Sequence, residues 1–251
     1  MKRYMLVWLA AAGLWTATAA AQEEEIKAAE AAYASGAFER AAEIYESLLQ
    51  TWGESSHVRY NLGNAYYKTG KIAPAILQYE RAVLLDPGDA DIRFNLQLAK
   101  ARGVDRIESI EQFFLVRWFL ALQDAGKADA WAKGGIGAFL LFMGCLALFV
   151  FSRRTGLKKV GFYAGTGLLV VVAVTNIFAR NQKNELLRRD SAIVFSPTVT
   201  VKSSPDASGT DLFVLHEGTK VRVKSSLGDW SEIELSDGNV GWMTSKDFEI
   251  I

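Results

Sequence analysis

Two stretches in the middle of the chain, residues 134–152 and 160–179, contain no charged side chain. At about 1.5 Å per residue, a helix over either stretch would cover about 28–30 Å, the thickness of a membrane hydrocarbon core. We therefore predict two transmembrane helices, over residues 131–152 and 160–179. The alternative for this pattern is a buried helical hairpin of a soluble protein.

A further charge-free stretch, residues 4–22, follows Lys2 and Arg3 at the N-terminus and ends in a run of three alanines. A basic start, a short apolar centre and small residues at the exit are typical of a secretory signal peptide. We predict a signal peptide over residues 1–21, cleaved before Gln22. An uncleaved membrane anchor is the alternative, because the stretch approaches spanning length.

The segment between the two predicted spans, residues 153–159, carries four basic residues and no acidic one. Short loops rich in Lys and Arg stay on the cytoplasmic side of a membrane. The loop is therefore predicted to be cytoplasmic, which places the N-terminal and C-terminal regions outside the cytoplasm. A signal peptide would send the N-terminal region to the same side.

Residues 22–102 repeat themselves with a period of 34 residues. The aligned pairs are Gly36 with Gly70, Ala41 with Ala75, and Tyr45 with Tyr79. This pattern resembles the tetratricopeptide repeat, a helix–turn–helix unit of the same length. We predict an all-α solenoid over residues 22–103, with repeats at 22–55 and 56–89 and a capping helix at 90–103.

In repeats of this kind the first helices form a concave surface that binds extended peptides. By this resemblance, the predicted peptide-binding residues are Tyr33, Tyr60, Asn64, Tyr67, Lys68 and Phe94. An amide and an ammonium group could hold a peptide backbone or carboxylate, and aromatic rings could anchor its side chains. About half of the aromatic residues are expected to belong to the core instead.

The segment 104–130 is rich in large apolar residues interrupted by Arg117. We predict a helical linker with one of two roles. It is either an amphipathic helix at the membrane interface or a capping helix that covers the end of a short repeat array. Residues 180–190 form a second predicted linker.

From Ser191 the chain changes to short alternations of apolar and polar residues and glycine turns, which predict about five strands of a small all-β barrel. The stretches around Gly228-Asp229-Trp230 and Asp237-Gly238-Asn239-Val240-Gly241-Trp242 resemble a bacterial SH3-like domain, predicted over residues 191–251. Trp230 and Trp242 could form an exposed peptide platform. The alternative places one of them in the barrel core.

Composition narrows the possible functions. The chain has 28 basic and 28 acidic residues, so it has no global basic surface for nucleic acid. One cysteine and two histidines leave little material for a metal or catalytic cluster. No nucleotide-binding or hydrolase motif occurs. We therefore predict a protein that is not an enzyme and has no cofactor, metal or nucleic-acid partner.

The order of signal peptide, tetratricopeptide repeats, two spans and terminal SH3-like module resembles the BatE-type proteins of bacterial aerotolerance operons. The stretch 91–96 and the stretch 210–219 carry this resemblance in particular. It implies a scaffold in the bacterial cytoplasmic membrane with periplasmic modules, protein partners of the von Willebrand A-domain class, and a role in aerotolerance or stress response.

Two hypotheses of function remain from the sequence. In the first, the repeats and the SH3-like module are two adaptors on one membrane hairpin, which raises the effective concentration for a partner with two binding sites. In the second, the SH3-like module binds peptidoglycan peptides and the protein is a cell-wall sensor.

Overall fold

The computed structural model of the chain describes residues 20–107 and 113–251. The predicted signal peptide covers residues 1–21. All but its last two positions lie outside the described residues, so it stays a prediction. The described chain forms two compact units. The first contains residues 20–83, 90–107 and 190–251, and the second contains residues 84–89 and 113–189.

The helical repeats form as predicted. Their helices are α1 (residues 20–34), α2 (Phe38–Trp52), α3 (Ser56–Lys68), α4 (Ile72–Leu85) and α5 (Ala90–Lys100). Gly36 and Gly70 occupy the turns within the repeats with φ of 83° and 78°, a backbone conformation that side chains disfavour. A Cβ atom on Gly63 would lie 2.7 Å from the Tyr79 ring, so glycine is required where α3 and α4 approach each other.

Helix α6 (Phe114–Gln123) and two long apolar helices, α7 (Ala128–Phe151) and α8 (Thr155–Leu187), lie in the second unit. By length and composition α7 and α8 could cross a membrane. They pack closely, since a Cβ atom on Gly161 would lie 2.8 Å from the Cys145 carbonyl oxygen. Helix α8 begins inside the predicted loop 153–159 because Leu157, Lys158 and Lys159 favour helix.

The C-terminal module is an antiparallel sheet of seven strands in the order β3-β2-β6-β5-β4-β1-β7 among the described residues. The strands are β1 (Ser191–Val194), β2 (Thr198–Lys202), β3 (Asp211–His216), β4 (Lys220–Leu227), β5 (Trp230–Glu234), β6 (Val240–Thr244) and β7 (Phe248–Ile250). The prediction of about five strands missed β1 and β7. Gly238, with φ of 91°, makes the β5–β6 hairpin turn as predicted.

Strand β1 explains why the first unit contains both the repeats and the β module. Neighbouring side chains of a strand point to opposite faces. Ala192 and Val194 lie in the core of the β module, together with Ile233 and Met243. Ile193 lies instead in the core of the second repeat. Because both faces of β1 are buried, the strand joins two cores.

Candidate functional site

The second helix of the second repeat, α4, is covered by the β module. Ile193, which is 0% exposed, packs in one cluster with Ile76 and Tyr79 of α4. Phe195 and Ile251 pack against the same cluster. We name this side of the array, where α4 meets β1, β7 and the turn before β4, the closed face.

A buried carboxylate lies in the closed face. Glu80 of α4 is only 5% exposed. Its two oxygens lie 2.6 Å from Nζ of Lys100 in α5 and 2.8 Å from Nζ of Lys220 in β4. Burial alone would raise the pKa of Glu80, but the two lysines outweigh it and hold that pKa below its ordinary value. The carboxylate therefore ties the β module to two helices of the array.

Two more polar contacts fasten the closed face. The Arg81 guanidinium donates to the Glu249 carboxylate at 3.0 Å and to the Ile250 carbonyl oxygen at 2.6 Å. Such charge-assisted hydrogen bonds are stronger than neutral ones. Together with Glu80, Arg81 fixes the β module against α4 by ionic contacts at neighbouring positions.

The segment after α5 also binds the β module. The Asp105 carboxylate accepts from the His216 backbone N–H and lies 2.7 Å from His216 Nδ1, and it accepts from the Thr219 hydroxyl at 2.6 Å. Partial burial alone would raise the pKa of Asp105, but the hydrogen bonds from Thr219 and His216 lower it. Ile107 packs against the core of the β module.

The side of the array formed by α1, α3 and α5 carries the predicted peptide-binding residues, and we name it the open face. Asn64 is at the centre of a hydrogen-bond network there. Its Oδ1 accepts from the Tyr79 hydroxyl at 2.7 Å and from Asn95 Nδ2 at 3.1 Å. Asn95 also donates to the Tyr60 hydroxyl at 2.8 Å. The side-chain oxygen of Asn64 is therefore engaged within the array.

The tyrosines of the open face lie close to one another. The rings of Tyr60 and Tyr79 are 6.1 Å apart, and the Tyr33 ring contacts Phe38 edge-on at 5.1 Å. Burial, and then the nearby Tyr60, raise the pKa of Tyr33. Burial, followed by Tyr60, Tyr33 and Tyr67, raises the pKa of Tyr79 well above its usual range. The raised pKa values keep Tyr33 and Tyr79 in the protonated, neutral form.

Phe94, Leu98 and Lys68 are accessible side chains on the open face. Phe94 is 65% exposed and Leu98 is 43% exposed. Lys68 is exposed at the end of α3, next to the half-buried Tyr67. Arg102 lies over the Tyr67 ring, 5.4 Å from its centre. The sequence did not predict the position of Arg102, which lies after the last repeat helix, or the hydrogen bonds of Asn95.

Trp230 and Trp242 share one surface of the β module. The buried residues of β5 and β6 are Ser231, Ile233, Gly241 and Met243, and both tryptophans alternate with them. Trp242 pairs with Glu232 across the hairpin, and Trp230 pairs with Thr244. Both rings are half-buried on the side opposite the core. Neither is a core residue.

Over residues 20–107 and 113–251, no group of three His, Cys, Asp or Glu side chains is placed to hold a metal ion. The carboxylates of Glu80 and Asp105 each have several partners, and these contacts join elements of the first unit. Both carboxylates therefore have a structural role in the first unit.

Comparisons with known proteins identify both modules. Residues 32–99 match the tetratricopeptide repeat family, and residues 197–249 match the bacterial SH3 domain family. No curated protein matches the chain. The chain thus combines a tetratricopeptide array, two apolar helices that could span a membrane and an SH3-like domain. Both families point to non-catalytic protein binding.

Solved structures that resemble the chain include the type III secretion chaperone SycD of Yersinia enterocolitica in complex with a peptide of the translocator YopD. The identity is 17%, the TM-score is 0.30, and the match covers 59% of this chain and 90% of that chain. A second structure of the same translocator chaperone matches with 16% identity and a TM-score of 0.30, covering 59% of this chain and 88% of that one.

Proposed function

We propose that this chain is a non-enzymatic scaffold anchored in the bacterial cytoplasmic membrane, which binds an extended peptide segment of an envelope protein on its open face. The repeats and the SH3-like domain lie in the periplasm, and the basic segment 153–159 lies in the cytoplasm. The observation that carries this proposal is the contrast within the array. The closed face is occupied by the SH3-like domain, and the open face presents Phe94, Leu98 and Lys68.

The chemistry of the open face favours a peptide with an acidic and an apolar group. The exposed Lys68 and the Arg102 guanidinium beside Tyr67 place two cations at the same end of α3. A carboxylate of the peptide, either its C-terminus or an acidic side chain, would bind there. Phe94 would contact an apolar side chain of the peptide, and tyrosine hydroxyl groups would hydrogen-bond the peptide backbone.

The resemblance to BatE-type proteins supports the choice of partners. On that basis we propose membrane proteins with von Willebrand A domains as the peptide donors, within an envelope complex that serves aerotolerance or stress response. The sequence resemblance is the basis for this step. The open face supplies only the peptide chemistry.

A photo-crosslinking experiment tests the proposal. A photoreactive amino acid is placed at Phe94 of the full-length chain in cells, and at Leu227, an exposed apolar residue of the SH3-like domain, as the matched control. We expect an adduct with an envelope protein from position 94 only, reduced by Lys68→Ala. Equal adducts from both positions, or none from position 94, would contradict the proposal.

A second candidate function is cell-wall binding by the SH3-like domain, which the shared surface of Trp230 and Trp242 favours. The full-length chain in nanodiscs is sedimented with purified peptidoglycan, because isolated residues 190–251 would expose Ile193. Cell-wall binding predicts co-sedimentation that Trp242→Ala abolishes and Phe94→Ala leaves intact. If neither variant loses binding to peptidoglycan, this candidate function is contradicted.

A further inference from the structure

Helix α6 has an apolar surface that the second unit leaves uncovered. Arg117 and Gln123 are the only polar residues between Phe114 and Gln123. Trp118 is 65% exposed, and the other apolar side chains with large exposure are Phe113, Phe114, Leu115, Val116, Phe119 and Leu122. Ten residues of helix extend about 15 Å, half of a hydrocarbon core, so α6 is too short to span a membrane.

The C-terminal end of α6 is fixed to one end of the α7–α8 hairpin. Gln123 is 1% exposed. Its carbonyl oxygen accepts from Trp131 Nε1 at 2.8 Å and from Gln182 Nε2 at 2.8 Å, and its Oε1 accepts from Asn181 at 3.1 Å. These buried and partly buried hydrogen bonds join α6 to the first turn of α7 and to the last third of α8.

Aromatic contacts continue the attachment along α6. The Phe119 ring meets Phe178 edge-on with centres 5.0 Å apart, and the Trp131 ring meets the same Phe178 at 5.0 Å. Phe178 is 1% exposed, so the two rings cover it. The apolar surface of α6 is therefore continuous with that of the hairpin.

The attachment lies at the level where the hairpin changes from apolar to charged. On α7 the charge-free run begins after Lys133, and on α8 it ends before Arg180. Gly135 faces Thr175 across the two helices, and Trp131 faces Phe178, so these two charges mark nearly the same level. A membrane that accommodates the charge-free runs has its boundary there.

We propose that α6 is an interfacial membrane helix, buried in the headgroup and upper acyl region of the leaflet that surrounds this end of the hairpin. Its occupant is lipid, because the same unit already exposes the apolar surface of α7 and α8. Trp118 and Trp131 then sit at the interface, where tryptophan is favoured, and Arg117 reaches the phosphate layer. This inference goes beyond the peptide scaffold and rests only on the hairpin spanning the membrane.

Site-directed spin labelling of the full-length chain tests the inference. In a Cys145→Ala background, single cysteines replace Trp118, Leu140 and Lys68, and the protein is placed in vesicles of phosphatidylcholine and phosphatidylglycerol. Leu140, 65% exposed on α7, is the hydrocarbon reference. Lys68, exposed on α3, is the water reference. Accessibility to oxygen and to a water-soluble nickel complex gives the depth of each label.

We expect the label at position 118 to be at least threefold less accessible to nickel than the label at position 68, and to lie shallower than the label at position 140. Two results overturn the inference while the span stands: water-like accessibility at position 118, or shielding from both reagents by a protein partner or a second copy. Water-like accessibility at position 140 overturns both the inference and the membrane anchor of the scaffold.

Discussion

The two faces of the repeat array differ in what their side chains contact. On the closed face Glu80, Arg81 and Ile76 all contact the SH3-like domain, and the buried carboxylate has two lysine partners. On the open face the polar groups of Asn64 and Asn95 are engaged with tyrosines of the array, while Phe94 extends outward. One face is occupied by the chain itself, and the other is available to a partner.

This difference changes the arrangement expected from the sequence. Two adaptors on a hairpin would move independently and gain affinity for a two-site partner through effective concentration. Strand β1 instead shares its residues between the two cores, so the repeats and the SH3-like domain form one compact unit. A partner that uses both modules would meet binding residues at a fixed spacing.

The largest loss of stability is expected when an apolar side chain at the centre of the closed face is truncated. Ile193→Ala removes a fully buried side chain from the second repeat and should cost about 3 kcal/mol. Hydrogen exchange of the full-length chain in nanodiscs should show faster exchange in both β1 and α4.

Ile233→Ala is the matched control for that experiment. Ile233 is equally buried but belongs to the β-module core only. It should therefore accelerate exchange in β4, β5 and β6 more than in α4. Equal acceleration of α4 in both variants would contradict the view that Ile193 joins two cores.

The next effect concerns the buried charge of the closed face. Glu80→Gln leaves Lys100 and Lys220 without their shared carboxylate and should cost about 2 kcal/mol, somewhat less than breaking a fully buried pair because the lysines can hydrate. Exchange of α4 and β4 amides at pH 7 measures this loss. A matched exposed change, Glu43→Gln, should stay within about 0.5 kcal/mol.

Because of Glu80, we also expect the stability of the folded chain to depend on pH. The pKa of Glu80 is lower in the folded chain than its ordinary value of 4.5. A carboxyl group whose pKa is lowered by folding stabilises the folded chain at pH values above its pKa in the unfolded chain. This contribution is lost as the pH falls below 4.5 toward the pKa in the folded chain. Glu80→Gln should therefore flatten the acid limb of the stability profile. An unchanged acid limb would mean that Glu80 makes no net contribution.

Sequence periodicity was sufficient to predict the repeats, the apolar hairpin and the central strands. It was insufficient for the closed face because the partners lie far apart in the chain. Lys220 follows Glu80 by 140 positions, and neither residue stands out within its own helix or strand. Ala192-Ile193-Val194 is a continuous apolar run, which is typical of a strand buried on both faces. The run does not indicate which element packs against the second face.

For the same reason, the sequence predicts positions of the candidate site but not the contacts that those residues make. The resemblance to the tetratricopeptide repeat implies that Tyr33, Tyr60 and Asn64 share one face of the first helices. Their hydrogen bonds do not follow from it, because Asn95 and Tyr79 are contributed by other helices. The sequence also did not indicate that Ile193, Phe195 and Ile251 pack on the second-repeat core.

A smaller effect is expected at the centre of the open face. Asn64→Ala removes the acceptor of the Tyr79 hydroxyl, which is buried, and should cost about 1.5 kcal/mol. Tyr79→Phe removes that orphaned hydroxyl, so the double variant should be less destabilised than the sum of the single variants. Thermal unfolding of the four proteins measures the coupling. Strict additivity would indicate that the hydrogen bond contributes nothing.

The smallest effect on stability, and the sharpest test of the open face, comes from Phe94→Ala. Because Phe94 is 65% exposed, its truncation should change the free energy of unfolding by less than about 0.5 kcal/mol. With the photoreactive amino acid placed at Leu98, which is 43% exposed on the same face, crosslinking to the partner should nevertheless fall at least tenfold in Phe94→Ala. Leu227→Ala, on an exposed SH3-domain position, should change neither quantity. Intact capture by the stable Phe94→Ala protein would show that the open face, although accessible, is not where the partner binds.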